Sequence, residues 1–118
     1  MRFIAMVMPR ADESAARDVP SEEAAAKMTT YHKALQKAGV LLARDGLFPA
    51  STGARISFAD GKATVTEGPF PEAKEAIGGY WIIQVHSREE AIEWAKRAPM
   101  SNHEVIEVRQ IYEMPVPA

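Results

Sequence analysis

Arg55-Ile56-Ser57-Phe58-Ala59-Asp60-Gly61-Lys62-Ala63-Thr64-Val65-Thr66 decides the fold of this 118-residue chain. Asp-Gly is a preferred dipeptide for two-residue hairpin turns, whose central residues need a positive φ. Folding the segment about Asp60-Gly61 pairs Phe58 with Ala63 and Ile56 with Val65 on one face, and Ser57 with Thr64 on the other. The faces sort by polarity, so the register is self-consistent. The hairpin interrupts an otherwise regular alternation of strands and helices.

Upstream of it, residues 3–8 are apolar at both parities, which predicts a strand covered on both faces and therefore central. Residues 9–20 are polar, acidic and bracketed by prolines, and read as a loop. Ser21 opens a helix, with Glu22 and Glu23 in its positive first turn. Ala24, Met28, Tyr31, Leu35 and Ala38 recur at four-three spacing as one apolar stripe, and Gly39 serves as a left-handed cap. Residues 40–43 lead a second strand, broken at Asp45-Gly46.

Downstream, residues 79–86 form the strongest strand, with Tyr80, Trp81, Ile82, Ile83 and Val85 nearly continuous. Trp81 falls in the core or in a dimer interface, and His86 faces away from it at the strand end. Ser87-Arg88-Glu89-Glu90 is a capping box that starts a second helix through Ala98, and Pro99 stops it. Residues 105–112 make the last strand, and the proline-containing tail cannot extend it.

With the hairpin as an insertion, the order is β-α-β-(ββ hairpin)-β-α-β. This is an α+β, ferredoxin-like plan in a single domain over residues 1–118. Two helices on one face leave the other face of the sheet bare. Apolar residues at both parities predict that a second copy covers it, giving a homodimer of the dimeric α/β-barrel type.

Composition narrows the function. A net charge of −2 with interspersed signs speaks against nucleic acid as a partner. No segment has the roughly 20 apolar residues of a membrane helix, and the short apolar start lacks the h-region and cleavage site of a signal peptide. With no cysteine, thiolate catalysis and cysteine-ligated zinc are excluded, and a cytoplasmic location is expected. No His-x-x-x-His, Glu-x-x-His, glycine-rich phosphate loop, serine elbow or dinucleotide fingerprint occurs, so neither metal nor cofactor is expected.

Five residues carry the candidate chemistry. His32, at the margin of the apolar stripe, is either a general acid or base lining a cleft or a partly exposed histidine flanking the core. Glu67 precedes the Gly68-Pro69 turn and either orients a histidine or ligand or caps its own turn. Lys74 either receives an anion or belongs to a solvated surface with Glu75. Asp45, at the end of the second strand, would face the same end of the sheet, and Phe70 supplies an aromatic wall. His103 lies in a polar loop and takes no role.

Gly68-Pro69-Phe70, followed by Glu72 and Lys74-Glu75, resembles the signature of the YCII-related, DGPF-domain proteins. That signature reads Asp-Gly-Pro-Phe, a small residue, Glu, a small residue, then Lys-Glu. The likeness extends to Ala38-Gly39-Val40-Leu41-Leu42, Asp45-Gly46-Leu47 and Ala91-Ile92-Glu93-Trp94-Ala95, over nearly the whole chain. It implies a ferredoxin-like fold dimerising through its sheets. For function it implies a suspected enzyme with a His-Asp pair in a dimer cleft, some relatives acting on halogenated aromatic compounds. Other relatives are encoded beside extracytoplasmic-function sigma factors, which implies a regulatory alternative. This chain departs from the pattern twice. Glu67 stands where Asp is usual, and the helix histidine of many relatives falls near Met28, one turn before His32.

The resulting expectation is a small dimeric protein whose cleft, lined by His32, Asp45, Glu67, Phe70 and Lys74, takes a small polar or aromatic molecule. A cofactor-free lyase or isomerase would use His32 to move a proton, Glu67 to orient it or stabilise charge, and Lys74 to hold an anion. The alternative is a non-enzymatic regulatory partner, for example of such a sigma factor.

Overall fold

The computed structural model describes residues 1–8, 21–48, 50–68, 77–101 and 104–114. Among these the chain runs β1 (Arg2–Met8), α1 (Glu22–Lys37), β2 (Leu41–Gly46), a short 3₁₀ turn (Ala50–Thr52), β3 (Ala54–Ala59), β4 (Lys62–Glu67), β5 (Gly79–Gln84), α2 (Arg88–Lys96) and β6 (Val105–Gln110). Four strands make one sheet in the order β2-β5-β1-β6, each neighbouring pair antiparallel. Two helices and a mostly antiparallel sheet make this an α+β fold, compatible with the ferredoxin-like plan. The expected loop at residues 9–20, together with Phe70, Lys74 and His103, lies outside the described residues.

The parity of the two central strands sets the core. Phe3 and Ala5 on β1, and Trp81 and Ile83 on β5, point to one face, where they cluster with Tyr31 and Leu35 of α1, Val40, Val85 and Ala91 of α2. The opposite parity, Ile4, Met8, Tyr80 and Ile82, is only half-buried, although Met6 among them is 8% exposed. Among the described residues no helix covers this face; it is apolar along its middle, at Ile4, Met6, Met8 and Ile82, and polar towards its edges, where Glu107 and Arg109 stand opposite Met6 and Ile4 and Asp45 stands opposite Tyr80.

Helix α1 begins as its sequence dictates, with Ser21 Oγ accepting from the Ala24 amide at 3.1 Å. It ends in a Schellman arrangement. Gly39, at φ +74°, gives its amide to Gln36, and Val40 gives its amide back to Leu35. The predicted stripe is shorter than its spacing suggested. Tyr31 and Leu35 are buried and Met28 half-buried, but Ala24 and Ala38 are exposed. Sixteen helical residues span about 24 Å, against about 20 Å for a six-residue strand, so the helix ends overhang the sheet. At α2, Ser87 Oγ accepts from the Glu90 amide, while Glu90 reaches back to the His86 amide, one residue before the expected position.

Strand boundaries differ from expectation at β2, β5 and β6, and β6 ends at Gln110 instead of reaching residue 112. The second strand is not broken at Asp45-Gly46: β2 runs through both, because Asp45 pairs with Tyr80 and Gly46 with Gly79. The irregularity lies earlier, between Leu41 and Ala43. Strand β5 stops at Gln84, yet Val85 still gives its amide to the Met1 carbonyl and accepts from the Met1 ammonium, each at 2.9 Å.

The hairpin has the derived register, Phe58 opposite Ala63, Ile56 opposite Val65 and Ser57 opposite Thr64. Asp60 and Gly61 take φ of 51° and 75°, the left-handed pair a two-residue turn demands. It forms its own two-stranded sheet, apart from the main one. The chain leaves and rejoins the main sheet at the Gly46–Gly79 end, where the Leu47 amide reaches Gly78 O at 3.0 Å.

Candidate functional site

At the β2 side of the sheet, three elements converge on one imidazole. Helix α1 supplies His32, the residue after buried Tyr31; β2 supplies Arg44; and β5 supplies Trp81, which stands opposite Arg44 in the ladder. Trp81 is 5% exposed, and an indole N–H can only donate, so its burial requires an acceptor. The acceptor is His32 Nε2, at 2.8 Å.

That bond fixes the chemistry of His32. With Nε2 accepting, the ring proton of the neutral imidazole sits on Nδ1. Protonating Nε2 would break the bond and leave a buried indole N–H without a partner. Burial, and then the neighbouring Arg44 guanidinium, hold the His32 pKa below the usual histidine value. The side chain is therefore a neutral donor through Nδ1–H. Among the described residues Nδ1 has no hydrogen-bond partner and Arg44 has no ion pair. Among the described residues, the ring's own Nδ1–H and the cationic Arg44 beside it are both unspent donors.

The surroundings make this arrangement stiff. Tyr31 packs edge-on against Trp81, with ring centroids 5.6 Å apart at 84°. Its hydroxyl donates to the Trp94 carbonyl at 2.7 Å, which ties α1 to α2. Burial pushes the Tyr31 hydroxyl up to about 12, with Arg97 acting in the opposite sense. This tyrosine is a strut, not an acid.

The next residue along β2 has the opposite parity, so Asp45 lies on the bare face of the sheet. There it accepts from the Tyr80 hydroxyl, Oη to Oδ2 3.2 Å, and this bond, with the carboxylate charge, raises the Tyr80 pKa. The close approach of β2 and β5 at this point depends on Gly79, where an added Cβ would stand 3.1 Å from the Asp45 carbonyl oxygen.

The five expected site residues thus separate. His32 is on the helix side of the sheet and Asp45 on the bare side. Glu67 ends β4, exposed, opposite Ala54 and on the same hairpin face as Ile56 and Phe58. Phe70 and Lys74 lie outside the described residues. Sequence reading missed Arg44 and Tyr80, and assigned Trp81 to packing alone. The cue was the Arg44-Asp45 and Tyr80-Trp81 pairs: once the two strands pair, alternation delivers one residue of each pair to each face.

An open groove of about 590 Å³ lies at the other edge of the sheet, between α2 and β6. It is floored by Phe3, Ile106 and Val108 and rimmed by Arg88 and Lys96. None of the five residues lines it. Among the described residues, no three His, Asp or Glu side chains converge on a metal position. None of the described helices is long and apolar enough to cross a membrane.

Comparison with known proteins bears on the whole arrangement. The family model of the YCII-related domain matches residues 1–115. Among curated proteins, no relative matches the chain.

Proposed function

The chain belongs to the YCII-related family, and from that premise we propose that it is a cytoplasmic homodimer binding a small anionic or aromatic molecule beside His32. The observation that carries this reading is the 2.8 Å bond from Trp81 to His32. It commits the imidazole to a neutral form; among the described residues its Nδ1–H faces no protein acceptor and the neighbouring Arg44 guanidinium has no ion pair. A carboxylate or enolate oxygen satisfies both donors.

In the catalytic version, the reaction is a cofactor-free proton transfer of the lyase or isomerase kind. His32 then acts as a neutral electrophile or general acid through Nδ1–H, since its other nitrogen is occupied. The base must come from elsewhere. Glu67 is the candidate, with Asp45, Phe70 and Lys74 as binding residues. His32 and Asp45 lie on opposite sides of one sheet, so a copy docked on the bare face meets Asp45 and not His32, and only Glu67, on the hairpin, is free to approach the imidazole from a second copy. Support for the dimer is the apolar bare face, where Ile4, Met8 and Ile82 remain half-buried in a single chain. The regulatory alternative instead needs a free apolar patch to serve a different protein.

The test is a thermal-shift screen of small aromatic and aliphatic carboxylates on the native chain, His32→Ala, Arg44→Ala and Glu67→Ala. A ligand at a hundredfold excess over its Kd stabilises the native form by about 2.7 kcal/mol. The expected result is a ligand whose shift is lost in His32→Ala and Arg44→Ala; loss in Glu67→Ala as well supports the catalytic version. A ligand that stabilises all four proteins equally places binding elsewhere.

A further inference from the structure

Among the described residues, the strands of the β3–β4 hairpin pair only with each other. Every residue of both strands is exposed, including Ile56 at 51%, Phe58 at 78% and Val65 at 60%. An isolated two-stranded hairpin is marginal in water, and a flush apolar face on it makes matters worse unless something covers it. Arg55, Ser57, Lys62, Thr64 and Thr66 lie on the other face, and the charged exception on the apolar face is Glu67 at its root. Such sorting is what a hairpin needs when one side is dry.

We infer that the hairpin is an arm that packs its apolar face, Ile56, Phe58, Ala63 and Val65, onto a second copy of this chain. The inference rests on the homodimer proposed above and adds a contact that the sheet face alone does not supply. Area argues for this occupant. The exposed parts of Ile56, Phe58 and Val65 amount to roughly 400 Å², about half of what one partner buries in a stable interface. The arm alone is too small to hold a partner, so its contact must be continuous with a larger apolar surface. The chain has one near the arm's root. β2 and β5 carry the arm at their Gly46–Gly79 end, and Tyr80 and Ile82 on the bare face of β5 lie next to that end. A twofold axis relating two copies doubles each contact, which is how a modest arm becomes a stable interface. Glu67 sits at the root of the same hairpin face, so docking the arm also brings this carboxylate to the subunit boundary.

The experiment measures self-association by sedimentation across a concentration series for the native chain, the double variant Ile56→Asp/Phe58→Asp, and Ile82→Asp. Far-UV circular dichroism checks that each is folded. The arm predicts a native dimer that the double variant weakens by roughly a hundredfold. If Ile82→Asp dissociates the dimer and the double variant does not, the sheet-face dimer stands and the arm is wrong. A native chain that stays monomeric at every concentration overturns both. Should the double variant fail to fold, a second measurement decides. The chain has no cysteine, so Thr64→Cys on the polar face takes a single spin label. A docked arm gives one narrow inter-label distance, whereas a broad distribution overturns the proposal.

Discussion

The bond between Trp81 and His32 can be isolated by a double-mutant cycle of Trp81→Phe and His32→Ala. Trp81→Phe removes the donor and part of the ring from a site that is 5% exposed. The lost contacts and the lost bond together should destabilise the chain by about 2–3 kcal/mol. The cycle removes the packing part, because it is common to both backgrounds. What remains is one neutral bond to a half-buried acceptor that water can partly serve, so the coupling should be about 1 kcal/mol. Urea unfolding at fixed protein concentration measures it, above pH 7. The pH dependence has a defined sign. The His32 pKa is lowered in the folded chain, so the unfolded chain takes up the proton first as pH falls. The stability contributed by neutral His32 is full above the ordinary histidine value and is lost as pH falls through the lowered folded value. The coupling should disappear over the same range, since protonated Nε2 cannot accept. Additive mutations above pH 7, or a coupling that grows on acidification, would refute the reasoning.

Three further outcomes follow from single positions. Leu35→Ala, at a fully buried position in the last turn of α1, should cost about 2–5 kcal/mol in urea unfolding, because the sheet beneath it cannot collapse to fill the void. Gly79→Ala should be destabilising by more than about 1 kcal/mol and should disturb the Asp45–Tyr80 pair, seen as a change in the tyrosine's ultraviolet pH titration; its Cβ meets backbone at 3.1 Å. Ser87→Ala removes the acceptor for the Glu90 amide at the start of α2 and should lower stability by about 1 kcal/mol, a loss that Ser87→Asp largely restores.

Some of the fold was readable because its causes are local. Asp60-Gly61 imposes a turn whatever surrounds it, and the alternation on either side then fixes the register residue by residue. Ser21, Gly39 and Ser87 mark helix ends through bonds to amides and carbonyls within four residues of themselves. The site was less readable, since it depends on which strand lies beside which. His32, Arg44 and Trp81 are separated by 49 positions at the widest, and nothing local to any of them announces the others. The break expected at Asp45-Gly46 failed for the same reason: the residues look like a turn in isolation, and cross-strand bonds to β5 hold them extended.

The element order, the hairpin register, the helix caps and the presence of apolar residues on both faces of the central strands were legible without any long-range contact. These rest on backbone bonds and side-chain periodicity along one stretch of chain. That Arg44 and Asp45, neighbours in sequence, serve opposite faces follows from the pairing of β2 with β5. Long-range packing likewise gives a buried indole one nitrogen of His32 and leaves Ile56, Phe58 and Val65 of the hairpin exposed. Those facts are set by strand order, and strand order is chosen by contacts between residues far apart in the chain.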